Sequence, residues 1–375
     1  MAKASISIVF CLSLLCSACV TTSNELATEK TKQTANKANV SSSQQNTAKV
    51  EIVLLADPDP AYRKRANDIE QGAKLAQQDL GDGKLSVIVR NINETTTSLD
   101  ENSKQTGNLS IILDSKQKNA GSFTRPYPII AINSNDAPRS SNTFAFLPSE
   151  TDSLIAGIKH ALNEKPGPIA LITQPQYSSV KISQIKKEVG EQYKLNNVEY
   201  TANETLWQAA KRAVQTEKNT TIFAFVGNDQ KIEPLAKSIR SLKGSGQNYS
   251  IVGNNSWSSS LFRSPSLDSA IVAKLDKNNS KIIASRYQQK YGASLTNDAL
   301  YGYDVIAIAA GIVRSKGIQA LNKSSILDSS GFSGVTGTFR FRADGSIERI
   351  YKINQIKKSQ LIPIETNEKG FSTER

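Results

Sequence analysis

The chain has 375 residues, enough for two lobes rather than one core. Its 46 Lys and Arg outweigh 34 Asp and Glu, a formal net charge of +12. No finger, aromatic-interleaved basic stretch or single-strand-binding pattern accompanies that excess, so it reads as a basic protein among anionic envelope polymers or headgroups, not as a nucleic-acid binder. There is one histidine, His160, and the cysteines are Cys11, Cys16 and Cys19 alone. This excludes paired-histidine and thiolate metal sites, disulfides and cysteine catalysis from the folded body, and no cofactor is expected.

The N-terminus places Lys3 before a short apolar run, then Cys16-Ser17-Ala18-Cys19. A charged start, an apolar stretch too short to span a bilayer and small residues before a cysteine have the form of a bacterial lipoprotein signal. Residues 1–18 would be removed and Cys19 would carry lipid, although Cys16 stands where such signals usually have Leu. An ordinary signal peptide cut nearby is the alternative. Residues 19–49 are rich in Ser, Thr, Asn, Gln, Lys and Ala without apolar periodicity. They read as a flexible tether, about 30 Å end to end as a coil and on the order of 100 Å when stretched.

From Val50 the pattern becomes α/β. Residues 50–56 are a predicted strand broken by Asp57-Pro58-Asp59-Pro60. A helix follows with Tyr62, Ala66, Ile69, Ala73, Ala76 and Leu80 on one stripe. Further strands are expected at 85–89, 109–113 and 129–132. Alternating strands and helices imply a parallel sheet with right-handed crossovers and ligands beyond the strands' carboxyl ends, here 57–62, 114–117 and 133–136. Residues 144–148 look like a first crossing to a second lobe. Ser149 caps the next helix, with Asp152 completing a weak capping box. The second lobe is expected to contain a strand at 167–172 and a helix with Ile182, Ile185, Val189 and Tyr193 inward. Strands at 221–226 and 249–253 follow, then a second crossing at 254–260. The expected division is 50–147 with 257–330 for lobe I, and 148–256 with 331–365 for lobe II. Residues 366–375 are expected to be a disordered tail.

The most distinctive wording is near the end. In Asn297-Asp298-Ala299-Leu300-Tyr301-Gly302-Tyr303-Asp304-Val305, continuing to Ile312, apolar residues recur as on a helix with one buried face. Gly331-Phe332-Ser333-Gly334 leads to a half-buried strand at 335–342. Ala343-Asp344-Gly345-Ser346 supplies the turn and 347–356 the returning strand. Together with Ile251-Val252-Gly253-Asn254-Asn255-Ser256-Trp257 and Arg286-Tyr287-Gln288-Gln289-Lys290-Tyr291-Gly292, this closely resembles type I periplasmic binding proteins of the leucine/isoleucine/valine-binding kind. The resemblance covers residues 50–364. Within that family, the Gly-Phe-Ser-Gly…Phe-Arg-Phe-Arg…Asp-Gly run resembles a lipoprotein branch described as penicillin-binding-protein activators.

The resemblance implies two Rossmann-like lobes with parallel sheets, three crossings and a cleft that closes by hinge motion. It also implies ligand-binding loops. Candidate residues are Asp57 and Tyr62 after the first strand, Ser115 after the third, and Ser134 and Asn135 after the fourth. In the second lobe they are Tyr177, Asn228, Asp229 and Trp257, with Asp229 as counter-charge to a ligand amine and Tyr177 against its apolar part. One departure stands out: Asp114-Ser115-Lys116-Gln117 lacks the glycines that let backbone amides approach a ligand carboxylate, and Asp114 would repel one. Catalysis has little to stand on. Two Ser-x-x-Lys matches, Ser178 with Lys181 and Ser183 with Lys186, have no Lys-Thr-Gly partner, and any Ser-His-Asp triad would depend on His160. The expectation is a non-enzymatic protein on the periplasmic side of a bacterial membrane. It would recognise an amino acid or similar solute for an ABC importer or, alternatively, activate a penicillin-binding protein.

Overall fold

The computed structural model describes residues 49–92, 109–115, 127–133, 142–201, 203–215, 220–227, 230–244, 248–277, 279–365 and 371. Strands β1 (Val50–Ala56), β2 (Leu85–Asn91), β3 (Leu109–Leu113), β4 (Ile129–Ile132) and β5 (Thr143–Ala145) form a parallel sheet in the order β2-β1-β3-β4-β5. β3 and β4 are buried at every position, which is why they read as near-continuous apolar runs rather than alternating ones. Helix α1 (Pro60–Leu80) starts where the Asp59 carboxylate accepts from the Ala61 amide, with Pro60 at the first position.

The second sheet has the order β15-β14-β10-β9-β8-β6-β7. Its parallel part is β6 (Ile169–Thr173), β7 (Leu195–Glu199), β8 (Ile222–Phe225), β9 (Ser250–Gly253) and β10 (Ile271–Leu275). β14 (Tyr351–Lys357) and β15 (Gln360–Pro363) add antiparallel to one edge. Helices α2 (Glu150–Glu164) and α3 (Ser179–Val189) bury Leu154, Ile158, Ile185 and Val189 against one face. Helices α4 (Leu206–Gln215) and α5 (Ile232–Lys243) bury Ala209, Ala210, Leu235 and Ile239 against the other. The Ser149 cap is present, its hydroxyl accepting from the Asp152 amide at 3.1 Å.

Helices α6 (Ser280–Tyr291) and α7 (Asn297–Lys316) return to the first lobe's core. A small antiparallel sheet of β11 (Phe332–Gly334), β12 (Gly337–Phe341) and β13 (Ile347–Arg349) lies on the same core. Phe339 and Phe341 pack there with Phe144 and Phe146, ring centroids 5.2–6.3 Å apart.

Four features differ from the expected layout. Residues 257–275 belong with the second lobe: Ile271 and Ala273 point into one of its cores, Val272 into the other, so β10 is a central strand there. The chain leaves that lobe after Leu275, not at 254–260. Residues 331–349 belong with the first lobe, and the expected strand 347–356 is two strands that change sheets at Ile350. The expected strand 335–342 begins at Gly337, because Val335 and Thr336 form a turn held by Asp304. Finally, α7 is buried nearly all round rather than on one face, being packed between α1 and the small sheet.

Candidate functional site

The strand ends of both sheets carry the polar residues that the topology brings to the inter-lobe side. Asp57, at the end of β1, is 7% exposed and its Oδ1 accepts from the Asp59 amide at 2.9 Å. Tyr62 and Ser115 are half-buried nearby. The best-defined feature of this wall is Arg65, on α1. Its guanidinium pairs with Asp114 at the end of β3 and, at 2.9 Å, with Asp298 at the start of α7. Burial would lower the Arg65 pKa, but the two carboxylates outweigh it and hold it above its usual range.

In the second lobe, Tyr177 follows β6 and its hydroxyl lies 3.3 Å from the Thr151 hydroxyl of α2. Lys274, on β10, donates to the carbonyls of Asn255 at 2.5 Å and Trp257 at 2.7 Å. Burial, with Lys277 adding repulsion and Glu150 opposing, brings its pKa down to about 8. The folded value thus lies below the unfolded value near 10.5. Between the two the unfolded chain holds the extra proton, so this site's contribution to stability rises from pH 8 to 10.5 and is flat below. The urea midpoint of Lys274→Met should therefore fall progressively behind that of the native chain across this window. A constant difference would mean that the amine titrates normally.

Trp257 is not a cleft residue. It is 1% exposed, 6.3 Å from the Phe225 ring in the second lobe's core. A Cβ on Gly253 would lie 2.3 Å from its indole, so that glycine makes the seat. Trp257→Ala should cost about 3–5 kcal/mol of stability by chemical denaturation; a loss below about 1 kcal/mol would be incompatible with a core role. Ser134, Asn135, Asn228, Asp229 and Cys19 lie outside the described residues.

Sequence reasoning missed the Arg65 bridge, whose partners lie 49 and 233 positions away and carry no local signal. It also missed Arg349 and Asp304. Arg349 is 7% exposed, its guanidinium 4.8 and 4.9 Å from the rings of Phe146 and Phe339. It donates to the Phe146 carbonyl at 2.6 Å and the Thr336 hydroxyl at 3.1 Å, joining the first and third crossings. Asp304, in α7, accepts from the amides of Val335 and Thr336 and from the Thr336 hydroxyl. An acid inside an otherwise apolar helix was the available signal.

Two α/β lobes joined by three crossings make this the type I periplasmic binding protein fold. Solved structures agree. A candidate branched-chain amino acid ABC transporter protein from Rhodospirillum rubrum aligns with a TM-score of 0.68 at 13% identity, over 85% of this chain and 100% of that one. A periplasmic ligand-binding protein of a branched-chain amino acid ABC transporter from Burkholderia xenovorans aligns at 0.58 and 12%, over 84% and 95%. The isoleucine-bound substrate-binding protein of the branched-chain amino acid transporter from Streptococcus pneumoniae aligns at 0.51 and 16%, over 84% and 97%. At these identities the likeness is one of fold. No family model and no curated protein matches the chain.

Proposed function

We propose that the chain is a non-catalytic recognition protein of the bacterial envelope, anchored through lipid on Cys19, that activates a penicillin-binding protein rather than delivering a solute. The carrying observation is the Arg65 bridge. Where a solute receptor of this fold would offer donors to a ligand carboxylate, after β3, Asp114 and Asp298 already occupy the cation. The Lys274 amine is likewise engaged by two carbonyls of its own lobe. Both walls thus carry polar groups satisfied within the protein, which suits a fold kept for its surface. The resemblance of the Gly331–Gly345 run to the activator branch supports the same reading.

The test is reconstitution. The purified chain, added to a bifunctional penicillin-binding protein from the same bacterium, should raise glycan cross-linking several-fold; an unchanged rate rejects activation. Lipid on Cys19 is tested by radiolabelled palmitate, whose incorporation should disappear in Cys19→Ala.

A second reading is favoured by the solved neighbours, one holding isoleucine and another benzoate. In that reading Asp57, Tyr62, Ser115, Ser134, Asn135, Tyr177, Asn228 and Asp229 line a site for an amino acid or similar solute. A ligand at a hundred times its dissociation constant would add about 2.7 kcal/mol of stability. A thermal-shift screen of the twenty amino acids separates the readings: a clear hit supports reception, silence supports the activator.

A further inference from the structure

A concave site lies beside the third crossing and shares none of the strand-end residues. It is a groove of about 750 Å³ along α2, closed on one side by α3 and on the other by the β12–β13 hairpin and β14. That volume suits a ligand of drug or short-peptide size. Three observations define its chemistry. Arg349 lines it while being more than nine-tenths buried, and among the described residues its Nε has no hydrogen-bond partner although both terminal nitrogens do. A buried guanidinium N–H calls for an acceptor, and a planar carboxylate matches it. Arg342, also in the lining, adds a guanidinium whose Nε donates to Glu348 at 3.4 Å, leaving its terminal nitrogens for a second acceptor.

At the α2 side the sign reverses. Asp152 of α2 and Glu188 of α3 both line the groove, Glu188 lying 3.6 Å from the Lys159 amine. Burial raises the Asp152 pKa, with Arg342 opposing and Glu188 adding to the rise; its carboxylate accepts from Gln184 at 3.1 Å. A carboxylate disfavoured in its charged form beside a second acid is one that an incoming cation would relieve. Ile155 and Ile353 supply apolar surface in the same lining.

We propose that this groove binds a short peptide with a free carboxylate and a free ammonium, the carboxylate completing Arg349 beside Arg342 and the ammonium lying against Asp152 and Glu188. Asp152 and Glu188 come from the second lobe, Arg342 and Arg349 from the small sheet on the first. An occupant therefore spans the hinge and fixes the angle between the lobes. This holds whether or not the strand-end cleft takes a solute.

The test is calorimetric titration of the full chain with trialanine, N-acetyl-trialanine and trialanine amide. Trialanine should bind saturably, and each blocked form at least tenfold more weakly. Asp152→Asn and Glu188→Gln should each weaken trialanine at least fivefold with unchanged melting temperature, whereas Ser115→Ala, in the strand-end cleft, should leave it unaltered. Absence of saturable binding, equal binding of the blocked peptides, or a loss produced by Ser115→Ala instead of Asp152→Asn overturns the assignment.

Discussion

Asp304→Ala should lower the melting temperature by on the order of 10 °C, the largest effect expected of any single truncation in the first lobe. The Asp304 carboxylate accepts three hydrogen bonds from the Val335–Thr336 turn and sits in the field of Arg349. Burial pushes its pKa up, while the Thr336 hydroxyl and the two amides pull it back. Alanine would leave two amides and a hydroxyl without their acceptor and Arg349 with less counter-charge. Each orphaned buried group costs about 1–3 kcal/mol, and breaking a buried charged cluster about 3–5 kcal/mol in all. For a chain of this size each kcal/mol is roughly 1.5–2 °C. Asn is no remedy, because its amide nitrogen would face a donor. Circular dichroism melting of both variants decides this; a drop under about 2 °C for Asp304→Ala would show that the turn finds other partners.

Gly72→Ala should be nearly as damaging, for a steric reason. Helices α1 and α7 touch backbone to backbone: a Cβ on Gly72 would lie 1.8 Å from the Ala299 carbonyl oxygen, and one on Gly302 would lie 2.1 Å from that of Ile69. Neither neighbour can rotate away, since both oxygens are main-chain. The helices must part, opening the most densely packed contact of the first lobe, at a cost of about 3 kcal/mol. Gly302→Ala should cost a similar amount. The double variant should cost well under the sum, because one separation relieves both clashes. Gly311→Ala is the control. It lies in the same helix with nothing near its Cβ position, and should stabilise by about 0.5–1 kcal/mol. Urea unfolding of the four proteins measures all of this, and additive losses would contradict a shared contact.

How much of this was legible in the chain differs by element. Strands β1 to β4 of the first sheet and the stripe of Ile69, Ala73 and Ala76 on α1 announced themselves, because burial there follows short-range period, whereas the short β5 merges with the crossing expected at 144–148. β10 did not, since Ile271-Val272-Ala273 is too short a run to be told from a loop, and only its neighbours β9 and β14 make it a strand. The change of sheet at Ile350 was equally silent. Residues 347–356 have the composition of one strand, and the break follows from tertiary pairing alone. At the site, Trp257 was misplaced because a large aromatic after a strand fits a ligand platform and a core anchor equally well. Gly253, four positions earlier, distinguishes the two only once the indole is seen above it.

Each lobe is assembled from stretches far apart in the chain. The first needs Val50–Ala145 together with Ser280–Arg349, the second Glu150–Leu275 together with Tyr351–Pro363. During synthesis, neither half can close its core until its second stretch has emerged, since Ile347 completes one and Ile353 and Ile356 the other. A ribosome-bound intermediate therefore stays open and threadable to the last strand. It follows that excising either lobe as a contiguous fragment should yield an insoluble product.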